Sequence, residues 1–190
     1  MNPWPAPMPS PQRKTAHLRW GRITAAGADY FATLCTQGRA PVLTHDTTAI
    51  RLLDILGQMH REGDIHLLAA TIMPDHVHLL FTLGARLTYG RAIAKFKTRG
   101  RDQGRADWRW QEDGFEHQLR SHEKMADYGF YLFMNPYRAG LLAINECWPW
   151  WRCPEPSLFS FLQGLNSDGS PPAAWLGESE CIAARIVTGE

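Results

Sequence analysis

Two short apolar segments, separated by the turn pair Pro74-Asp75, constrain the fold of this chain more than any other feature. Residues 65–73 and 76–83 are rich in the aliphatic and β-branched residues that favour β-strands. Proline presets the backbone of the first turn residue, and aspartate suits the second. The chain is therefore expected to form an antiparallel hairpin here, with a strand on each side of the turn.

Segments on either side of this hairpin predict the remaining elements. Alternating apolar residues predict a first strand at residues 30–36 and a fourth at residues 115–120. Capping residues and apolar spacing predict three helices, which run from Thr44 or Asp46 to about Gln58, from Thr88 to about Arg99, and from Ser121 to about Met134. The order β-α-β-β-α-β-α is that of a ferredoxin-like, split βαβ fold of the α+β class, an antiparallel sheet with helices packed on it.

Two details of these helices follow from side-chain chemistry. The first helix is expected to bury Ile50, Leu53 and Leu56 on its inner face. The third is expected to stop before Pro136, because proline lacks a backbone N–H and clashes with the preceding turn.

The two ends of the chain differ in composition from its middle. Residues 1–15 carry five prolines and predict a flexible arm, residues 16–155 a single folded domain, and residues 156–190 a partly disordered tail with one short helix near Ile182. Apolar runs are too short to cross a membrane, which indicates a cytoplasmic protein. The four cysteines have no CxxC spacing, so reduced thiols are expected.

The strand after the turn begins with two histidines, His76 and His78, on either side of Val77. Side chains alternate along a strand, so both imidazoles point to the same face and their nitrogens can converge on one ion. A pair of surface histidines is the alternative. The apolar run that follows favours the metal site, because two polar rings in a buried strand need a partner.

Tyr131 and Asn135 lie one turn apart on the third predicted helix and therefore share a face. A phenol and an amide could thus serve the same site. From spacing alone, packing of Tyr131 in the core and a helix-terminal role for Asn135 are favoured over chemistry.

A local basic cluster distinguishes residues 86–109, which carry eight basic and two acidic residues in a chain of net charge +1. Such a concentration favours contact with DNA phosphates over a merely solvated helix face. The candidate DNA-binding residues in it are Arg91, Lys95, Lys97, Arg99, Arg101 and Arg105.

Two of these motifs resemble those of the REP-associated tyrosine transposases, a branch of the single-tyrosine HUH transposases. Residues 73–80 (MPDHVHLL) resemble the metal motif of that family, and residues 131–141 (YLFMNPYRAGL) its tyrosine helix. Residues 30–36 with Gly38-Arg39, and Trp110-Gln111 with the segments up to Arg120, resemble its remaining signature. The resemblance covers about residues 20–150, with Asp75 where asparagine is expected and Tyr137 where a small aliphatic residue is expected.

The resemblance implies a DNA transposase with the HUH fold, in which Tyr131 is the nucleophile and His76, His78 and Asn135 hold a divalent metal, Mg²⁺ or Mn²⁺. It implies cutting and rejoining of single-stranded or hairpin (REP-type) DNA through a 5′-phosphotyrosine link. The protein would be a monomer or a homodimer, associated with the nucleoid when bound to DNA.

Two other functions fit the same residues. A ferredoxin-like sheet with basic residues can bind single-stranded nucleic acid without catalysis. A metal-dependent phosphodiesterase would use water as nucleophile and leave Tyr131 as a packing residue.

Overall fold

The computed structural model describes residues 25–101, 108–186 and 188. Within them, five strands form one sheet in the order β4-β1-β3-β2-β5, and every neighbouring pair is antiparallel. The strands are β1 (Asp29–Cys35), β2 (Ile65–Ile72), β3 (His76–Leu83), β4 (Phe115–Gln118) and β5 (Trp151–Arg152). The α-helices are α1 (Asp46–Arg61), α2 (Tyr89–Gly100), α3 (Met125–Arg138) and α4 (Trp175–Ala183). The predicted α+β fold and its central hairpin are confirmed.

The sheet separates two hydrophobic cores, and strand alternation decides which residues enter each. Tyr30, Ala32 and Leu34 of β1 pack with α1 and α2 on one face. Phe31 of β1 and Leu80 of β3 pack with α3 and α4 on the other. Because the histidine side chains of β3 alternate with Val77, they point to the α3 face. No helix in the described residues combines the length and apolar character needed to cross a bilayer.

The buried face of α1 differs by one position from the prediction. Ile50 is 52% exposed, so its assignment to the inner face was wrong. The buried stripe instead runs through Ala49, Leu52, Leu53 and Leu56, at the i, i+3, i+4, i+7 spacing of a helix face. Alanine contributes little to a hydrophobicity pattern, so the pattern did not mark its position as buried. The more apolar Ile50 was therefore assigned to the inner face instead.

Helix α3 also corrects the predicted bounds, because it starts after Lys124 and passes through Pro136 to end at Arg138. Proline cannot donate to the carbonyl oxygen of Leu132, one turn earlier. The Thr71 hydroxyl on β2 donates to that oxygen instead, at 2.7 Å and fully buried. The released carbonyl is thereby satisfied, so Asn135 stays helical and buried rather than ending the helix.

The C-terminal segment is packed against α3 rather than forming the loose tail that composition indicated. Phe159, which is fully buried, and Ile182 of α4 join the α3 core. Helix α4 begins at Trp175, well before the predicted Ile182. The predicted arm at residues 1–15 lies outside the described residues.

A glycine in α3 makes this packing possible, since a Cβ at Gly129 would lie 2.3 Å from the Phe159 ring. We expect Gly129→Ala to lower the free energy of unfolding by about 1–3 kcal/mol through overpacking, although alanine favours helices. Gly57→Ala in α1 is the matched control, because its nearest contact is the Arg61 guanidinium at 3.4 Å. That change is expected to stabilise by about 1 kcal/mol. Urea denaturation measures both, and equal effects of the two variants would contradict the close approach.

Candidate active site

The two histidines of β3 converge on one point, as alternation predicted. The Nε2 atoms of His76 and His78 are 3.0 Å apart, and their rings are nearly perpendicular. His78 is fully buried, and His76 is 8% exposed. Each ring is thus placed by the central strand of the sheet, with its Nε2 directed at the other.

The remaining ring nitrogens are held by neighbouring side chains. Asp75 Oδ1 lies 2.6 Å from His76 Nδ1, and a carboxylate only accepts, so this nitrogen carries the proton. Thr33 of β1, paired with His78 across the strands, places Oγ1 3.0 Å from His78 Nδ1. The Thr33 hydroxyl donates to the Thr188 carbonyl, so it accepts from Nδ1. Both Nε2 atoms are left with lone pairs that face each other.

The electrostatics of Asp75 favour this arrangement. Burial raises the pKa of its carboxyl, but the hydrogen bond from His76 and the positive charge of Arg39 outweigh burial, so the pKa lies below its ordinary value. The carboxylate therefore stays ionised at neutral pH, and its bond to His76 is lost only as the pH falls through that lowered pKa.

Asn135 of α3 completes the group of polar side chains. Its Nδ2 lies 3.2 Å from His78 Nε2, and the residue is 5% exposed. Rotating the amide by half a turn would place Oδ1 at the same point. The amide oxygen, not the nitrogen, is the atom that binds cations. The helix that continues through Pro136 is what brings this amide to the histidines.

This donor set fits an octahedral divalent cation. Two ligands ~2.1 Å from an ion and at right angles are about 3.0 Å apart, the separation of two adjacent octahedral corners. The observed 3.0 Å between the two Nε2 atoms matches that edge. A cation at this point would also offset the repulsion between the two facing lone pairs.

Tyr131 lies beside this pair on α3. Its ring meets the His78 ring edge-on, with 5.5 Å between centroids, and the Arg138 guanidinium lies over the Tyr131 ring, 5.3 Å from its centroid. Glu180 of α4 pairs with Arg138 at 3.2 Å. Tyr131 is only 1% exposed, so the tyrosine and the histidines share one enclosed region.

Comparison with known proteins identifies the family of this chain. The family of IS200-like transposases matches residues 25–133, more than half of the chain and including both histidines and the tyrosine. The chain belongs to the IS200-like transposase family. Its role is therefore that of an enzyme of DNA transposition, and the expected kinship is confirmed.

Two individual proteins are similar to this chain. A Haemophilus influenzae protein that bears the provisional name REP-associated tyrosine transposase is 29% identical over 140 residues, 65% of this chain and 78% of its own. The solved structure of a REP-associated tyrosine transposase bound to a REP hairpin superposes with a TM-score of 0.59 at 21% identity, over 70% of this chain and 80% of the other. That likeness shows a common HUH fold.

The basic residues of the transposase on α2 lie away from the histidine pair, because α2 packs on the opposite face of the sheet. Lys95 forms ion pairs with Glu62 and Asp64, and Arg99 pairs with Glu62 at 3.0 Å. Lys97 donates to the Gln111 carbonyl at 2.8 Å. Arg91 and Arg101 are exposed, and Arg105 lies outside the described residues. The spacing of charges could not reveal these partners, since Glu62 and Asp64 are more than thirty residues away.

Two other histidine groups of the transposase have structural roles. His117 pairs with Glu123 at 2.8 Å and stacks on Tyr128, as expected of a satisfied histidine. His60, His66 and Glu155 cluster closely enough to share an ion. However, His60 Nδ1 accepts the Leu67 amide at 3.0 Å, so its Nε2 carries the proton and cannot ligate.

Sequence reasoning assigned no role to three residues that build the site of the transposase, namely Thr33, Thr71 and Arg39. Thr33 and Thr71 are buried hydroxyls that hold His78 and the carbonyl of Leu132. A threonine within an apolar strand is the signal that both share, but its partner depends on register. Arg39 Nη1 lies 3.3 Å from Asp75 Oδ2, which places this cation beside the histidines.

Proposed function

We propose that this transposase cuts and rejoins single-stranded hairpin DNA through a 5′-phosphotyrosine link at Tyr131. One observation carries the proposal: two histidine Nε2 atoms converge at 3.0 Å next to a tyrosine ring on the same side of the sheet. If the histidine pair holds a phosphate through a metal ion, a nucleophile on Tyr131 would lie near the phosphorus, as in-line displacement needs.

The reaction is a transesterification with balanced bonds. The Tyr131 oxygen forms a bond to phosphorus as the bond from phosphorus to the DNA 3′-oxygen breaks. The phenol loses its proton, and the departing 3′-oxygen gains one. A 3′-hydroxyl from a second strand reverses the step and restores a phosphodiester, so the cycle needs no ATP.

We infer that His76, His78 and Asn135 hold Mg²⁺ or Mn²⁺. When bound, the ion would neutralise charge on the phosphate and orient it. The two imidazoles suit Mn²⁺ on ligand softness, whereas the octahedral edge suits both ions. Asp75 and Thr33 fix the two rings with Nε2 directed inward, which is their part in the chemistry.

The proposed substrate rests on the relative whose structure contains a REP hairpin. Exposed Arg91 and Arg101 on the opposite side of the sheet would contact phosphates away from the cut. Arg105, which lies outside the described residues, is a further candidate phosphate contact. Lys95, Lys97 and Arg99 would contribute less, because each already has partners within the protein.

The burial of Tyr131 adds a requirement to this mechanism. At 1% exposure, the ring is not reached by a DNA strand in this conformation. Cleavage therefore requires that side chains around the ring move when DNA binds, and the Arg138–Glu180 pair is one contact that can open.

The test is incubation of the purified protein with hairpin oligonucleotides taken from repeated palindromes of the host genome, with Mg²⁺ or Mn²⁺. A denaturing gel is expected to show a protein–DNA adduct and a strand with a free 3′-hydroxyl, both absent when EDTA is added. Cleavage without an adduct would instead identify a hydrolase. Binding with no cleavage in either metal would identify a non-catalytic binder.

A further inference from the structure

Arg39 has an unusual backbone conformation next to the candidate active site. Its φ of 55° makes it the one non-glycine residue with positive φ among the described parts of the chain. This region costs an ordinary residue roughly 1 kcal/mol or more, whereas glycine adopts it freely. A turn with no other task would be better served by glycine here, as it is at the preceding Gly38.

The turn is fixed to the hairpin that carries the histidines. The Thr36 amide donates to the Asp75 carbonyl at 2.9 Å, and the Thr36 hydroxyl lies 3.0 Å from the same oxygen and 2.9 Å from the Ala40 carbonyl. Arg39 donates its own amide to Thr36 at 3.1 Å. Arg39 is thus held at a set position relative to the hairpin turn.

The Arg39 side chain is directed at the site but remains accessible. Its Nη1 lies 3.3 Å from Asp75 Oδ2 and 3.4 Å from His76 Nδ1, while half of the side chain is exposed. Arg138, the cation beside Tyr131, is 19% exposed and pairs with Glu180. Arg39 therefore places an accessible positive charge at the edge of the histidine pair.

We propose that Arg39 binds a phosphate of the DNA strand at the cleavage site, an inference that rests on the proposed function. A guanidinium offers five N–H donors in a planar fork that matches two oxygens of one phosphate. The contact to Asp75 uses one of its terminal nitrogens and sets the orientation of the fork. Half of the side chain is exposed, so its remaining donors can reach an incoming strand.

A purely structural role is the competing explanation. In that case Arg39 would act only by holding Asp75, which in turn orients His76. The two roles differ in their dependence on salt. A phosphate contact releases counterions, whereas an internal ion pair leaves the number of phosphate contacts unchanged.

Arg39→Gly separates the two roles because it removes the side chain and relieves the backbone. Binding of a fluorescent DNA hairpin with a single-stranded 5′ extension is measured in a Tyr131→Phe background across salt concentrations. We expect about tenfold weaker binding at low salt and a slope of log affinity against log salt that is smaller by about 0.7–0.9, the value for one phosphate contact. The melting temperature is expected to be unchanged or higher.

Two further variants keep the result interpretable. Arg39→Lys should retain the salt slope of the parent, and Arg39→Gln should show the same reduction of the slope as Arg39→Gly. An unchanged slope in both Arg39→Gly and Arg39→Gln would overturn the phosphate contact alone. Absence of hairpin binding by the parent protein would overturn the proposed function as well.

Discussion

Replacing Tyr131 with phenylalanine is expected to abolish the covalent adduct and to slow strand cleavage by at least about 1,000-fold, or ~4 kcal/mol in activation free energy. The change removes one oxygen, the proposed nucleophile, and keeps the ring that packs on His78 and Phe31. The variant should therefore stay folded and bind the hairpin with unchanged affinity. A denaturing gel and a binding titration measure the two effects separately.

Tyr128→Phe is the matched control, because Tyr128 lies on the same helix and is fully buried. Its hydroxyl donates to Glu123 at 2.7 Å, so its loss should cost about 1 kcal/mol of stability and leave adduct formation intact. Adduct formation that survives in Tyr131→Phe would disprove the nucleophile assignment. A free product of the same length without any adduct would point to attack by water.

Replacing His78 with alanine is expected to eliminate cleavage and the stabilisation of the protein by Mn²⁺. His78 contributes one of the two converging nitrogens, and the same nitrogen contacts Asn135, so its loss removes the atom that both other proposed ligands approach. In the parent protein, saturating Mn²⁺ at 100 times its dissociation constant should add about 2.7 kcal/mol of stability. Thermal denaturation with and without Mn²⁺ measures this difference.

His66→Ala serves as the control for the metal experiment. His66 belongs to the other histidine cluster and is exposed, with its Nε2 3.2 Å from Glu155. If the protonation of His60 excludes an ion there, the effect of Mn²⁺ should be the same in His66→Ala as in the parent. Stabilisation that is lost in His66→Ala and kept in His78→Ala would move the metal to that cluster.

Features determined by local spacing could be predicted from the sequence. The hairpin of β2 and β3, the shared face of His76 and His78, and the Thr88 cap of α2 all depend on residues within a few positions of each other. The strand β3 occupies the predicted residues, because a turn pair and an apolar run mark its two ends. Interactions between residues that are close in the sequence were sufficient to predict these features.

Features determined by distant partners could not be predicted. Pro136 fails to end α3 because Thr71, 65 positions earlier in the sequence, satisfies the carbonyl that it releases. The basic cluster of α2 is partly neutralised by Glu62 and Asp64, which lie between α1 and β2. The composition of the C-terminal segment predicted a tail. The segment is buried through close contact with Gly129, a residue of α3 that is distant in the sequence. Each error arose because the feature depends on a tertiary contact, which the spacing of residues along the sequence does not reveal.

The position of β3 in the middle of the sheet has a consequence for the durability of the site. Its backbone pairs with β1 on one side and with β2 on the other, so its amides should be among the last to exchange with deuterated water. Fraying of β4, β5 or α4 would then occur without separating the two imidazoles. Such a protein can rearrange its periphery around an incoming strand while the two histidine nitrogens keep their spacing.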